Sequence, residues 1–242
     1  MPVTMTMHPA KPGTGILFRR SDLPGMPEVP ADSRYITSTM RATTLEKGPA
    51  KVFTVEHLLS ALYALNIDNC IIEMDSPEPP VGDGSAKTFV DMVEEAGIEE
   101  QDEEIPVLTL DRSVAIYEGK KFITALPYDG LRITFTSINP HPLLGTQMVD
   151  IVIDHDSYMK EIASARTIGF TWELEAMRKM GLGKGGTLEN AVVYSETECL
   201  SVPRFKDELV RHKILAILGD IAVIGPLHAH SKDVLGCRKV HS

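Results

Sequence analysis

Two pairs of adjacent side chains are the best candidates for chemistry in this sequence. The first pair, Glu56 and His57, stands near the start of a helix predicted over residues 54–65 from its apolar stripe, which consists of Val55, Leu58, Leu59, Leu62 and Leu65. A carboxylate next to a histidine can act as a base beside a metal-bound water. Neighbours on a helix diverge by about 100°, so one side chain can bind the metal while the other faces a substrate. The alternative interpretation is an exposed polar pair at a helix N-terminus.

The second pair, His212 and Lys213, lies on a long helix predicted from about residue 206 to residue 224. These two residues interrupt an apolar face made by Val210, Ile214, Ile217 and Ile221. One imidazole nitrogen can ligate a metal, and a lysine ammonium suits a phosphate. The alternative is a solvated basic turn of the helix.

Two weaker motifs occur later in the chain. The segment from Gly181 to Thr187 is rich in glycine and contains a lysine, but its spacing is not that of a Walker phosphate loop, so it predicts a helix end and a turn. His228 and His230 have strand-like spacing and could bind a metal, although surface histidines are the alternative.

Composition narrows the class of protein. A formal charge of −10 argues against a nucleic-acid binder, which needs a basic face, yet it allows an anionic small ligand in a local positive pocket. Three unpatterned cysteines favour a reducing compartment. The longest apolar stretch, residues 214–224, is too short to cross a bilayer, and the N-terminus lacks the pattern of a signal peptide. We therefore expect a cytoplasmic protein without a transmembrane segment.

The order of predicted elements favours an α+β fold in two halves. Each half has strands followed by helices, rather than the strict alternation of a doubly wound fold. The acidic run at residues 99–104 is the best candidate linker, which predicts domains at residues 1–104 and 105–242.

Six sequence blocks, spread over nearly the whole chain, carry a resemblance to one known family. In the first half they are Thr54-Val-Glu-His-Leu-Leu-Ser-Ala-Leu, Ile67-Asp-Asn and Pro77-Glu-Pro-Pro-Val-Gly-Asp-Gly-Ser-Ala. In the second half they are Ala165-Arg-Thr-Ile-Gly-Phe, Gly185-Gly-Thr-Leu-Glu-Asn-Ala-Val-Val and Phe205-Lys-Asp-Glu-Leu-Val-Arg-His-Lys-Ile-Leu. In residues and in order, these blocks resemble the zinc-dependent UDP-3-O-acyl-N-acetylglucosamine deacetylases of lipid A synthesis.

The resemblance implies two α+β domains, each with helices packed on β-sheets, and an active site in the cleft between them. It implies a Zn²⁺ cofactor with His57 and His212 as ligands, and Glu56 as the general base that activates the zinc-bound water. Thr167 matches a hydroxyl donor near the developing oxyanion, and Lys213 matches a cation that faces the substrate.

The same resemblance implies a UDP-linked acylated amino sugar as the substrate. Ile168 and Phe170 match substrate-binding positions, and an insert at about residues 172–194 matches the passage for the acyl chain. The implied partner is this substrate, reached by transient access to acyl chains derived from the membrane, with no nucleic acid.

Three departures from the family pattern stand out. Ala216 occupies the position of the ligand aspartate, four residues after His212, and Asp220 matches a different family aspartate, too far along the helix to replace it. Cys237 falls near the position of the terminal histidine, and a thiol is a weak substitute for an imidazolium. By the same resemblance, we expect the chain to begin at the family's second strand, without the first.

These departures keep three hypotheses open. The first is a metal-dependent amidohydrolase of the family type. The second is a catalytically impaired relative that acts as a binding protein. The third is a deacetylase for another amino sugar, with a metal site rebuilt from His228, His230 or Cys237.

Overall fold

The chain divides into two compact units in the computed structural model, which describes residues 2–105, 110–179, 183, 185–225 and 234–236. Unit 1 comprises residues 1–80, 89–108 and 216–227, and unit 2 comprises residues 81–88, 109–215 and 228–242. Helices and several small sheets occur in the chain, which confirms the α+β class. The domain boundary predicted at residues 104 and 105 stays a prediction.

Unit 1 is built on a four-stranded sheet with a smaller three-stranded sheet. In chain order its strands are β1 (Met5–Pro9), β2 (Ile16–Arg20), β3 (Glu28–Pro30), β4 (Ile36–Ser38), β5 (Thr44–Lys47), β6 (Ala50–Phe53) and β7 (Cys70–Met74). The larger sheet has the order β1-β7-β2-β3, and the smaller one has the order β4-β5-β6. Strands β2 and β7 are parallel, so the chain between them must cross over, and the crossover carries helix α1 (Glu56–Ala64).

The core of unit 1 follows from the periodicity of these elements. On β7, Cys70, Ile72 and Met74 are buried and alternate with half-buried residues, as the period of a strand requires. The apolar stripe of α1 is buried as well, including Leu58, Leu59 and Leu62. Helix α1 was predicted from the sequence, and the structure confirms it, with its start two residues later than expected.

Unit 2 holds the remaining sheets and helices. Its strands are β8 (Val114–Glu118), β9 (Lys121–Leu126), β10 (Arg132–Ile138), β11 (Thr146–Val152), β12 (Ile168–Phe170), β13 (Val192–Tyr194) and β14 (Val234–Gly236). They form the sheets β14-β9-β8, β10-β11 and β12-β13. The helices between them are α3 (His155–Glu161) and α4 (Thr171–Lys179), with α2 (Lys87–Ala96) beginning in unit 2 and continuing in unit 1.

Helix α5 (Glu208–Ala222) contributes to both units, because residues 208–215 belong to unit 2 and residues 216–222 to unit 1. It confirms the long helix predicted from about residue 206 to residue 224. Among the residues that the structure describes, no helix is long and apolar enough to cross a membrane.

The segment predicted as an insert forms a parallel β-α-β arrangement. Strand β12 leads into α4, and the chain returns as β13 in parallel register, with Ile168 opposite Val192 and Phe170 opposite Tyr194. Residues 180–182 and 184, in the glycine-rich segment, lie outside the described residues. The predicted role of this insert as an acyl passage stays a prediction.

One glycine of unit 2 stands where no side chain fits. Gly84 has a φ of +82°, and a Cβ added there would lie 1.7 Å from the backbone oxygen of Asn190. Gly97 has nearly the same backbone conformation, with a φ of +83°, but a Cβ there would have nothing within 4 Å. A substitution at Gly97 therefore causes backbone strain alone, whereas one at Gly84 causes the same strain and a steric overlap with Asn190.

We expect Gly84→Ala to destabilise the protein far more than Gly97→Ala. Both variants force alanine into the left-handed region, at about 1–2 kcal/mol, but only Gly84→Ala must also move the backbone at Asn190, which raises its total to about 3–5 kcal/mol. Chemical denaturation of the two variants measures the difference. Equal losses would show that the close approach to Asn190 costs nothing to relax.

Candidate active site

Glu56 is the first residue of α1, and its carboxylate is held by residues of unit 1. The backbone N–H of Thr43 donates a hydrogen bond to Glu56 Oε1. The Thr43 hydroxyl donates to Asp220 Oδ1 at 2.7 Å. Thr43 is itself buried, so one threonine bridges the two carboxylates with its backbone and its side chain.

Burial raises the pKa of Glu56 to about 7, and the negative charge of Asp220 acts in the same direction. The hydrogen bond from Thr43 opposes the shift by stabilising the ionised form. A carboxyl group with a pKa near neutrality can both accept and return a proton under physiological conditions, which is the property that general acid–base catalysis needs.

The approach of α5 to the start of α1 is too close for a side chain. A Cβ added at Gly219 would lie 2.2 Å from the backbone oxygen of Glu56. Glycine at this point of α5 therefore lets the helix pass directly beside the residue that carries the candidate base. His57 follows Glu56 on α1 and is partly buried in the same unit.

In unit 2 the structure brings Thr167 and His212 together. Thr167 Oγ1 lies 3.2 Å from His212 Nε2, within hydrogen-bond distance, although the two residues are 45 positions apart. Thr167 is exposed, whereas His212 is buried on α5. An exposed hydroxyl over a buried imidazole can present a donor to a substrate that binds beside it. Lys213, the next residue on α5, is partly buried.

A buried ion pair lies directly beside this contact, and sequence reasoning missed it. Arg166 Nε donates to Glu208 Oε1 at 3.0 Å, and the two side chains are 5% and 1% exposed. Arg166 precedes Thr167, and Glu208 stands one helical turn before His212 on α5. Both residues fall inside the motif blocks that carry the resemblance, but nothing in their local spacing pairs them.

The two predicted substrate-binding residues of β12 are partly buried in unit 2. Phe170 stacks on Trp172 with ring centroids 4.7 Å apart, and His141 and Tyr194 lie within about 6 Å of the Phe170 ring. Ile168 and Phe170 both pack on a small buried cluster formed by Leu144, Val192, Tyr194 and Leu209. Trp172 is 53% exposed, so the aromatic group reaches the surface. The binding roles of Ile168 and Phe170 stay predictions.

The described residues do not complete a three-ligand zinc site. Ala216, one turn after His212 on α5, ends in a methyl group and offers no donor, and Asp220 already accepts a hydrogen bond from Thr43. Within the part of the chain that the structure describes, no group of three or more His, Cys, Asp or Glu side chains could hold a metal ion. The two imidazoles of His57 and His212 suit zinc, but the donor set among described residues falls short of the usual three.

The remaining predicted site residues cannot be placed. Cys237, His228 and His230 lie outside the described residues. The proposed roles of Glu56, His57, Thr167, His212 and Lys213 therefore rest on their chemistry and on similarity, with Glu56 and His57 in unit 1 and the other three in unit 2.

Comparison with known proteins gives one consistent family. A family model described as UDP-3-O-acyl N-acetylglycosamine deacetylase matches residues 1–242. A protein of Bdellovibrio bacteriovorus named UDP-3-O-acyl-N-acetylglucosamine deacetylase is 42% identical over 95% of this chain and 77% of its own length. Proteins of the same name from Pseudomonas entomophila and Myxococcus xanthus are 42% and 40% identical, over 92% and 94% of this chain and 75% and 74% of their own lengths.

Similarity of this extent covers both units and all six motif blocks, and it confirms the resemblance drawn from the motifs alone. The chain belongs to the UDP-3-O-acyl-N-acetylglucosamine deacetylase family.

Proposed function

We propose that this protein hydrolyses the acetamide of UDP-3-O-acyl-N-acetylglucosamine, as a step of lipid A synthesis, with Glu56 as its proton-transfer group. The names of its relatives support the substrate and the reaction. The observation that carries the proposal is the carboxyl group of Glu56, whose pKa burial raises to about 7 at the start of α1, directly before His57.

Glu56 accepts a proton from the water molecule whose oxygen attacks the acetamide carbonyl carbon. The tetrahedral intermediate then collapses, the C–N bond breaks, and Glu56 returns the same proton to the departing amine nitrogen. The products are acetate and the UDP-linked 3-O-acyl-glucosamine. A pKa near 7 favours both transfers, because neither protonation state of Glu56 is strongly preferred.

Residues of unit 2 serve the same reaction by binding charge and substrate. The exposed Thr167 hydroxyl donates a hydrogen bond to the oxygen that becomes negative in the transition state. The Lys213 ammonium faces the anionic part of the substrate, and Ile168 and Phe170 contact its apolar parts. Transient access to acyl chains at a membrane surface and a cytoplasmic location complete this proposal.

The proposal includes Zn²⁺ as the cofactor, with His57 and His212 as two of its ligands. Bound by these residues, zinc would supply Lewis-acid chemistry, which would polarise the acetamide carbonyl and lower the pKa of the attacking water. Since Ala216 supplies no third ligand, we expect weaker zinc binding than a site with three protein ligands would give.

A second candidate is a family member that binds the acylated UDP-sugar without hydrolysing it. The methyl group of Ala216, where a ligand carboxylate is expected, is the observation that favours it. A metal-free, well-folded protein that binds the sugar nucleotide would support this alternative. A site rebuilt around His228, His230 or Cys237 would instead show zinc binding that depends on those residues.

Replacing the carboxyl group of Glu56 should abolish catalysis without removing the metal. We expect Glu56→Gln and Glu56→Ala to slow deacetylation by about 10²–10⁴-fold, because proton transfer is lost, while zinc content stays at the wild-type level. Steady-state kinetics and metal analysis of the purified variants measure both effects. Loss of zinc together with activity would assign Glu56 to metal binding rather than to proton transfer.

The burial of Glu56 should also leave a signature in the pH dependence of stability. The folded protein holds the Glu56 proton up to about pH 7, whereas the unfolded chain releases it near pH 4.5, so ionisation favours unfolding as the pH rises between these values. In metal-free protein the free energy of unfolding should therefore fall by up to about 3 kcal/mol across this window relative to Glu56→Gln. Denaturation with a chelator present, at a series of pH values, tests this. Parallel curves for the two proteins would contradict the burial argument.

Restoring a carboxylate on α5 should strengthen zinc binding. We expect Ala216→Asp to raise zinc affinity and deacetylation, because position 216 lies on the His212 face of α5, one turn along. Without metal the variant should lose up to about 0.7 kcal/mol of stability through helix propensity, and zinc should recover that loss by binding the folded state.

Ala216→Asn is the matched control, since it has the same shape without the negative charge. Zinc titrations monitored by thermal melting and by activity compare the three proteins. If Ala216→Asp binds zinc no more tightly than Ala216→Asn, position 216 does not face the metal.

A further inference from the structure

The buried ion pair between Arg166 and Glu208, beside the candidate site, has a role beyond stabilising the fold. We infer that Arg166 and Glu208 are positioning residues, which hold the Thr167 hydroxyl against the His212 imidazole. This inference rests on the proposed function for its kinetic consequence, but its structural consequence stands without it.

The Glu208 carboxylate, at the first residue of α5, collects donors from two segments of unit 2. Its Oε1 accepts from the backbone N–H of Arg166 at 3.0 Å and from Arg166 Nε at 3.0 Å. Its Oε2 accepts from Arg166 Nη2 at 3.3 Å and from the backbone N–H of Arg204 at 2.6 Å. One carboxylate thus fixes both the guanidinium and the peptide group of Arg166.

The guanidinium of Arg166 is held from its other side by backbone carbonyls. Arg166 Nη1 donates to the oxygen of Glu189 at 2.8 Å, and Nη2 donates to the oxygen of Val202 at 2.7 Å. A buried polar network with this many satisfied partners has one geometry of low energy, so it is rigid. The segment that enters β12 is therefore locked to the first turn of α5.

The ion pair lies next to the candidate-site residues on both segments, the one that enters β12 and helix α5. Thr167 directly follows Arg166, and His212 lies four residues after Glu208, on the same face of α5. The Thr167 carbonyl is also anchored, because it accepts a hydrogen bond from the N–H of Val192 at 2.9 Å. With its backbone fixed on both sides, the β-branched side chain of Thr167 has few rotamers, and its hydroxyl lies 3.2 Å from His212 Nε2.

A role in stability alone does not explain this arrangement. Well-packed apolar residues often replace buried ion pairs with no loss of stability, so a pair of this kind is weak evidence for a purely stabilising purpose. What an ion pair adds to burial is a fixed relative orientation of its two side chains. A bidentate contact between a guanidinium and a carboxylate fixes distance and angle together, which an apolar contact does not.

The experiment compares the ring nitrogens of His212 in protein labelled with ¹⁵N-histidine, free of metal and substrate and at one fixed pH. Thr167→Val first identifies the Nε2 signal and its position when the hydroxyl is absent. Glu208→Asp withdraws the carboxylate by one methylene group while keeping its charge, and Arg166→Lys keeps the opposite charge without the bidentate geometry. Both should move the Nε2 signal towards its position in Thr167→Val.

The matched control is Glu161→Asp, which withdraws another carboxylate held by an arginine of α5. Glu161 Oε2 accepts from Arg211 Nη1 at 2.6 Å, and no hydrogen bond joins that pair to Thr167 among the described contacts. This variant should leave the Nε2 signal unchanged. A wild-type signal in Glu208→Asp and Arg166→Lys would overturn the inference.

Kinetics provide the second readout. Glu208→Asp should lower kcat for the acylated UDP-sugar by about 10²-fold with little change in KM, because a displacement near 1 Å at the reacting groups costs about that much. Wild-type protein that does not deacetylate would count against the proposed function alone, since the nitrogen signal still decides the positioning role.

If Glu208→Asp and Arg166→Lys both unfold, hydrogen exchange of the wild-type protein tests the positioning role instead. The amide hydrogens of Arg166 and Arg204, both bound by Glu208, should then exchange as slowly as those in the middle of α5. Faster exchange at Arg166 than at Leu215 would overturn the inference, because a mobile pair cannot position Thr167.

Discussion

The burial of helix α5 is the constraint from which the chemistry of this protein follows. Most residues between Leu209 and Ile221 are buried or half-buried, so a polar side chain on a buried face of the helix has a large desolvation cost unless it has a specific partner. The buried Glu208 is paired with Arg166, and the exposed Asp220 accepts a hydrogen bond from Thr43. The side chains that can do chemistry are therefore oriented by partners from other elements.

The two ends of α5 are held against neighbouring segments by two different kinds of contact. In unit 2 the Arg166–Glu208 ion pair joins the helix to the segment that carries Thr167. In unit 1, Gly219 has no side chain, so the helix can pass directly against the backbone of Glu56. Burial of the Glu56 carboxyl raises its pKa to about 7.

Ala216 lies on α5 between Glu208 and Gly219, and its methyl group stands where the motif resemblance implies a ligand aspartate. Glu56, the proposed proton-transfer group, keeps a hydrogen bond within unit 1, and Thr167, the proposed hydroxyl donor, keeps its contact with His212 within unit 2. Under the proposed function, the placed base and the set of metal ligands are therefore separate requirements, and the variants at positions 56 and 216 measure each of them.

The sequence by itself determined the elements whose signal is local. The period of 3.6 in α1 and α5 is encoded in consecutive residues, so both helices were predicted close to their observed bounds. The motif blocks around Glu56, His57, Thr167 and His212 were sufficient for the family, because those blocks keep their residues and their order. Local pattern therefore decided the fold class and the identity of the candidate residues.

Only the tertiary structure decided the partners. Thr43 reaches Asp220 across 177 positions, and Arg166 reaches Glu208 across 42, and no local pattern encodes such pairings. The same holds for the division into units, in which residues 81–88 belong with the second unit and residues 216–227 with the first. Burial, pKa and the direction of a side chain depend on atoms brought close by the fold, and a sequence lists residues without those distances.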